Sequence, residues 1–362
     1  MNKILTLLDL EQARAFYAQG LWRSETLYTM LRSWAEKTPD AFALRDTNAR
    51  LSFRTMLAWV DAIAQDLHES GLRPGDRVSI WLPNRMETAL VFLACSRMGF
   101  VCNTSLHRDH TCRDIVSLLE RAGSAAFFVQ PGYGADGDSR DVCSMAGALR
   151  NLKKIYRLEP LQPDAGTDDI SLRLQSLVRP ATGELPASGD PDRVVYLAYT
   201  SGTTGQPKGV MHSSNTILAN SRAMVRDWNF NQNTIVYSLS PMSHNIGIVA
   251  FAVALTAGGE FVVHTPGDAI RTFDRVVETG ATLLLGVPTH ALDLLAEVRR
   301  RRVSSLGAVR AFEIGGAAVP PTLVSELLTI GVTTQNAFGM TENHSFQYTR
   351  PDDPVETIAS TC

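Results

Sequence analysis

Tyr199-Thr200-Ser201-Gly202-Thr203-Thr204-Gly205-Gln206-Pro207-Lys208-Gly209-Val210 is the stretch on which the fold and chemistry of this chain turn. It follows an unbroken apolar run, Val194-Val195-Tyr196-Leu197-Ala198, that reads as a strand buried on both faces. A segment from about Ser213 to Arg226 that can be helical comes after it. Glycines at 202, 205 and 209 let backbone N–H groups approach and wrap an anion. The hydroxyls of Thr200, Ser201, Thr203 and Thr204 add donors, and Lys208 supplies a mobile positive charge. A strand–loop–helix context of this kind predicts a polyphosphate guest. The loop is not the common P-loop, which needs Gly-Lys-Ser/Thr after four spacer residues; here Pro207 precedes the lysine and Gly209 follows it. The plain alternative is a surface turn rich in Gly, Ser and Thr. Three threonines, three glycines and a lysine packed behind a buried strand argue against it.

Outward from that loop, the whole chain has the dimensions of more than one average domain. It has 362 residues, 44% hydrophobic and 20% charged, as expected of a globular protein with sizeable cores. A net charge of −3 argues against a nucleic-acid partner. The basic run Arg299-Arg300-Arg301-Arg302 follows Leu292, Leu295 and Val298 at helical spacing, which places it near a helix C-terminus, where cations suit the dipole. Cysteines at 95, 102, 112, 143 and 362 form no CxxC pair. That usage fits a reducing compartment without structural zinc. Met1 to Leu10, with one lysine before Glu11, is too short for a secretory signal, and no apolar run is long enough to span a bilayer. A cytoplasmic location without a transmembrane segment is the expectation.

Alternation of helices and strands predicts a mostly parallel α/β architecture. Leu27, Met30, Leu31 and Trp34 predict a helix over 24–36 with Ser24 as N-cap, and Met56, Val60, Ile63 and Leu67 predict a second. Strands are expected at 77–82, 100–105 and 125–130, with helices at 87–98 and 112–122 between them. From Pro131 to Pro191 the glycines, prolines and acidic residues read as surface excursion and linker. Strands are then expected at 235–240, 261–264, 281–286, 309–314 and 332–338, and helices at 246–257, 269–278, 289–301 and 321–329. Two packed mostly parallel-sheet subdomains result. Residues 1–190 form the first, and 191–362 the second, carrying the phosphate loop and the ligand motifs.

Further motifs recur in a fixed order. These are Gly75-Asp76-Arg77-Val78, Leu82-Pro83-Asn84, Pro241-Met242-Ser243-His244-Asn245, Gly286-Val287-Pro288-Thr289, Glu313-Ile314-Gly315-Gly316-Ala317-Ala318 and Phe338-Gly339-Met340-Thr341-Glu342. The last four follow apolar strands, where open α/β sheets build ligand crevices. With the glycine loop, they resemble the AMP-forming acyl-CoA synthetase, adenylation-domain and luciferase superfamily over nearly the whole chain. The wording of the motifs is closest to cyclohexanecarboxylate and medium-chain ligases.

The resemblance implies ATP-dependent activation of a carboxylic acid to an acyl-adenylate, then thioester formation with coenzyme A. It implies nucleotide binding by Thr200, Ser201, Gly202, Thr203, Thr204, Gly205, Lys208, Gly316, Ala317, Ala318, Asn336, Ala337, Phe338, Gly339 and Thr341. Phe338, where the family usually has Tyr, offers a flat face to the purine. Thr341 can donate to the α-phosphate, and Glu342 can hold Mg²⁺ through oxygen. His244, Asn245, Gly247, Gly286, Val287, Gly315 and Met340 are implied around the acid, with His244 as a gate. Lys208, His244, Thr341 and Glu342 are the residues expected to carry the chemistry. Ser243 beside His244 invites a hydrolase reading, but no Gly-x-Ser-x-Gly elbow supports one.

Family members continue into a barrel subdomain and a C-terminal domain with a catalytic lysine. This sequence has no lysine after Lys208, so both are expected to be missing and the chain alone weak or inactive. Delivery of the acyl group to a carrier-protein thiol, its oxidation, and a non-catalytic nucleotide-binding fragment remain alternatives; a homodimer is left open.

Overall fold

The computed structural model describes residues 8–161, 173, 175, 177–181, 183, 187, 189–200, 207–265 and 269–360. Its first elements are α1 (Leu10–Ala18), α2 (Leu27–Lys37), β1 (Phe42–Arg45), β2 (Arg50–Ser52), α3 (Phe53–Glu69), β3 (Arg77–Trp81), α4 (Glu87–Met98), β4 (Val101–Asn103), α5 (Cys112–Ala122), β5 (Ser124–Val129), α6 (Val142–Ala146) and β6 (Lys154–Arg157). There follow β7 (Val194–Thr200), β8 (Lys208–Ser213), α7 (Ser214–Asp227), β9 (Ile235–Ser238), α8 (Asn245–Ala257), β10 (Glu260–Val263) and α9 (Ala269–Thr279). The last are β11 (Leu283–Gly286), α10 (Pro288–Arg301), β12 (Ala311–Ile314), α11 (Pro321–Thr329), β13 (Thr333–Met340), β14 (His344–Tyr348) and α12 (Val355–Ser360).

The chain divides into two compact units, Met1–Ala41 with Leu51–Ala219, and Phe42–Arg50 with Asn220–Cys362. The division falls at 219/220 and not at the expected 190/191. The physical reason is that β7 and β8 are hydrogen-bonded into the first unit's sheet, so the glycine loop belongs to that unit.

In the first unit the strand order is β6-β5-β3-β4-β7-β8. The pairs from β6 to β7 are parallel; β7 and β8 are antiparallel. Apolar β3 and β5 are buried along their length, as the sequence predicts of parallel strands. Helix α4 is buried at every position, including Glu87, which Arg85 and Arg173 neutralise at 2.8 and 2.6 Å. Thr26 caps α2, in place of the expected Ser24, through a reciprocal pair with Thr29. The stretch expected to be linker contains α6 and β6. A four-residue edge strand carries too little periodicity to be read, yet Tyr156 secures it by stacking on Phe128 at 4.1 Å.

The expected strand–loop–helix around the glycine stretch is a strand–loop–strand. Thr200 pairs with Lys208, and Val210 and Met211 continue the antiparallel ladder. The helix starts only at Ser214, where Ser213 and Thr216 cap each other's backbone N–H at 3.0 and 3.2 Å. Residues 201–206 lie outside the described residues. The glycine stretch therefore joins two strands, and no helix N-terminus follows it directly.

The second unit's sheet has the order β14-β13-β12-β11-β9-β10-β1-β2. Every pair from β1 to β13 is parallel, and β13 then turns back on β14. Tyr237, Leu284 and Phe312 point to one face, where they join the core formed by α9, α10, α11 and α12. Helix α8, apolar on all sides and almost wholly buried, packs against β9, β10, β11 and β14. Among the described residues no helix is long and apolar enough to cross a membrane.

Candidate functional site

The parallel register of the second unit brings four strand ends level: Leu285 lies opposite Ser238, Gly286 opposite Ile314, and Ile314 opposite Asn336. Strand β9 has β10 on one side and β11 on the other, so the order of the chain reverses there. Open α/β sheets place ligand crevices beyond the carboxyl ends at such a reversal. A cleft of about 240 Å³ occupies this position.

Each wall is a segment leaving one strand. His244 and Asn245 follow β9, His244 being the N-cap residue of α8. Gly286 ends β11, Gly315 and Gly316 follow β12, and Ala337, Gly339, Met340 and Thr341 come from the β13 extension. Gly316 has φ +79, a conformation that any Cβ would strain. Gly339 sits where a Cβ would collide with the His344 carbonyl oxygen, so only glycine lets β13 and β14 close this far.

The turn of that hairpin is held by short polar contacts. Met340 N donates to Asn343 Oδ1 at 2.8 Å. Asn245 Nδ2 donates to the Met340 carbonyl at 3.2 Å, and Asn245 Oδ1 faces His344 Nδ1 at 2.8 Å. With the Asn245 amide nitrogen already donating, its oxygen is the acceptor, so His344 carries its proton on Nδ1. Asn245 thereby fixes the hairpin tip against the start of α8. Near Gly286, Val287 N donates to His290 Nδ1 at 3.2 Å, and burial holds the His290 imidazole below its usual pKa.

The remaining expected residues sit elsewhere. Gly247 is buried in α8 against the Pro241 backbone. Val287 is the N-cap residue of α10 and half-buried. Ala317 and Ala318 are exposed after β12. Asn336 is buried, donating through Nδ2 to the Ile358 carbonyl at 3.2 Å. Phe338 is 47% exposed on β13, an apolar ring presented to solvent. Glu342 is exposed at the hairpin tip, so the Thr341-Glu342 pair lies in a turn and does not start a helix. Thr200 and Lys208 face each other at the base of the glycine hairpin, in the first unit. Ser201, Gly202, Thr203, Thr204 and Gly205 lie outside the described residues.

Glu313, which opens one of the quoted motifs but was given no role, and Ser345, which was not expected there, line the cleft. Glu313 is 4% exposed and accepts from Ser345 Oγ at 2.5 Å. Burial pushes its carboxyl up to about 7, and the Ser345 hydrogen bond offsets only part of that. A charge inside the apolar strand Ala311-Phe312-Glu313-Ile314 is the sequence signal that could have found it. Among the described residues, no group of three or more His, Cys, Asp or Glu side chains could hold a metal ion.

A mostly parallel α/β sheet with a glycine-walled crevice at its reversal defines the class of open-sheet proteins that take a ligand at the carboxyl ends of their strands. The chain belongs to the AMP-binding enzyme family, whose model matches residues 31–362. It is 28% identical over 357 residues to the salicylyl-CoA synthase / salicylate adenylyltransferase of a Streptomyces species. It is 26% identical over 367 residues to the medium-chain fatty-acid–CoA ligase of Escherichia coli K12. These alignments cover 95% and 99% of this chain and 63% of each relative. The structure of MbtA from Mycobacterium smegmatis superposes with a TM-score of 0.80 at 23% identity, over 99% of this chain and 64% of that one. The chain thus spans just under two thirds of the length of these three proteins.

Proposed function

We propose that this chain supplies the nucleotide- and acid-binding part of an AMP-forming acid–thiol ligase. In the reaction, a substrate carboxylate oxygen attacks the α-phosphorus of ATP, forming the acyl–phosphate bond while pyrophosphate leaves with the electrons of the broken P–O bond. A thiol then displaces AMP from the acyl carbon, giving a thioester. Family membership supports the first half reaction. The observation that carries the reading to this site is that two sets of residues line one cleft. His244, Asn245, Gly286, Gly315 and Met340 are those expected around the acid; Gly316, Ala337, Gly339 and Thr341 are those expected around the nucleotide.

Two anions meet in the first step, so charge neutralisation and alignment are what the protein contributes. In the second unit the Thr341 hydroxyl is the donor assigned to the α-phosphate. Phe338 offers its exposed face to the purine. Mg²⁺ would arrive on ATP and supply charge compensation there. The donor set fits, because a phosphate-borne Mg²⁺ asks for only one or two protein carboxylates, and Glu342, exposed in the turn next to the cleft-lining Thr341, would supply one.

Coenzyme A is the acceptor we favour; the relative named both as a CoA synthase and as an adenylyltransferase keeps a carrier-protein thiol as the second reading. Four buried free thiols, Cys95, Cys102, Cys112 and Cys143, fit a reducing compartment, and we assign the cytoplasm. The test is calorimetric titration of the chain with ATP and with acyl-sulfamoyl adenosines, which mimic the acyl-adenylate. Single-site binding is expected, weakened in Thr341→Val. If neither ATP nor any analogue binds, the reading is overturned.

A further inference from the structure

The cleft floor carries a carboxyl group that the adenylation chemistry does not use. Glu313 is nine-tenths buried, lines the cleft, and has one oxygen engaged by Ser345. Its other oxygen, Oε2, has no hydrogen-bond partner among the described residues. Gln335 lies directly opposite Glu313 in the parallel register, hence on the same sheet face, and is fully buried with neither amide atom bonded. Ser345 is itself placed from behind, because Asn220 Nδ2 donates to its carbonyl oxygen at 2.8 Å. A buried carboxyl with an unengaged oxygen is costly unless something completes it. Burial and the Ser345 hydrogen bond are the influences that set its charge state, with no cationic side chain among them in the described residues.

We propose that Glu313 and Ser345 form a recognition site for a hydroxyl group, so that the carboxylic acid activated here carries a hydroxyl on its acyl portion. This rests on the ligase reading above and names its substrate class. Four observations converge on it. A volume of about 240 Å³ is below the ~300–1,000 Å³ that encloses a drug-sized ligand, so the cleft takes one part of an acyl-adenylate. His244, Asn245, Gly286 and Gly315, expected around the acid, share the cleft with Glu313. Glu313 is the one carboxyl among the lining residues, whose other polar side chains are His244, Asn245, Thr341, His344 and Ser345, so it is the strongest acceptor the cleft offers a polar substituent. A hydroxyl both donates and accepts, and therefore completes Glu313 whether the carboxyl is ionised or protonated. An ammonium group would serve only the ionised form, in surroundings that disfavour charge.

The test uses matched pairs of acyl-sulfamoyl adenosines: ortho-, meta- and para-hydroxybenzoyl against benzoyl, and ω-hydroxyoctanoyl against octanoyl. Their affinities are measured by calorimetry for the chain and for Glu313→Leu and Glu313→Gln. A hydrogen bond to a charged or partly charged buried partner predicts that at least one hydroxylated analogue binds about tenfold to a hundredfold tighter than its pair. Glu313→Leu removes that ratio, and Glu313→Gln, which keeps an amide oxygen and gains a donor, restores part of it. Circular dichroism establishes that each variant is folded, and the glutamine variant carries the test if the leucine variant is not. Equal binding within every pair by the unaltered chain overturns the inference while leaving the ligase reading intact. So does a ratio that survives both substitutions. Binding of no analogue at all brings down the ligase reading and this inference together.

Discussion

Glu313→Gln is expected to stabilise the second unit at alkaline pH and to leave it nearly unchanged at acidic pH. The native carboxyl has its pKa raised from 4.5 to about 7, mainly by burial. Between those values the native chain holds a proton that the unfolded chain has released. Stability therefore falls as pH rises through that window, and the loss is complete above the folded-state value. At 1.36 kcal/mol per unit, the cost of ionising Glu313 in place is about 3 kcal/mol. Glutamine keeps the acceptor that Ser345 Oγ uses and carries no charge to desolvate. Urea unfolding of both proteins at pH 4 and pH 8.5, followed by tryptophan fluorescence, gives the comparison. The variant should gain about 3 kcal/mol relative to the parent on going from the acidic to the alkaline condition. In a thermal melt that is a gain of roughly 6–12 °C in the second unit's transition. A difference that does not change with pH would refute the reasoning, because it would mean that Glu313 ionises as easily in the fold as in the unfolded chain.

Three further expectations follow from particular contacts. Gly339→Ala puts a methyl against the His344 carbonyl and should cost more than about 2 kcal/mol, with loss of analogue binding, measured by denaturant unfolding and calorimetry. Asn245→Ala removes the link from α8 to Met340 and His344; hydrogen exchange at residues 340–344 should quicken about tenfold, and unchanged protection would count against the link. Arg173→Met leaves Glu87 with Arg85 alone. The native Glu87 pKa is held at about 2 because Arg85 and Arg173 outweigh burial, so this stabilisation is present above pH 4.5 and fades toward pH 2. The variant should lose ~1–3 kcal/mol at pH 7 and less at pH 3.

Much of the fold was legible because parallel strands buried on both faces leave continuous apolar runs. Helices over 87–98, 112–122 and 321–329 came out at the expected residues. What escaped had weak local signals. Strand β8 is Lys208-Gly209-Val210-Met211-His212-Ser213, exposed at its start and buried only at its last two residues, and its partner supplies the order that its own sequence lacks. Strand β14 escaped for the same reason, being an edge strand whose Phe346 is 62% exposed. Ser24 lost the cap to Thr26 because an N-cap is set by where the first turn closes, and Thr29 closes it on Thr26. At the site, glycines and turn residues announced themselves through residue type, whereas Glu313 was hidden in a strand whose register alone turns it toward the cleft.

The sequence by itself determined the family, the parallel α/β class and the motif residues, because these depend on local composition and on order along the chain. The tertiary structure decided that the glycine loop is a hairpin within the first unit, and that residues as distant as His244 and Thr341 line one crevice. It also decided that a glutamate lies on the floor of that crevice. Those facts depend on strand pairing and register across long stretches of sequence, and a shift of one residue would have turned Glu313 into the opposite face.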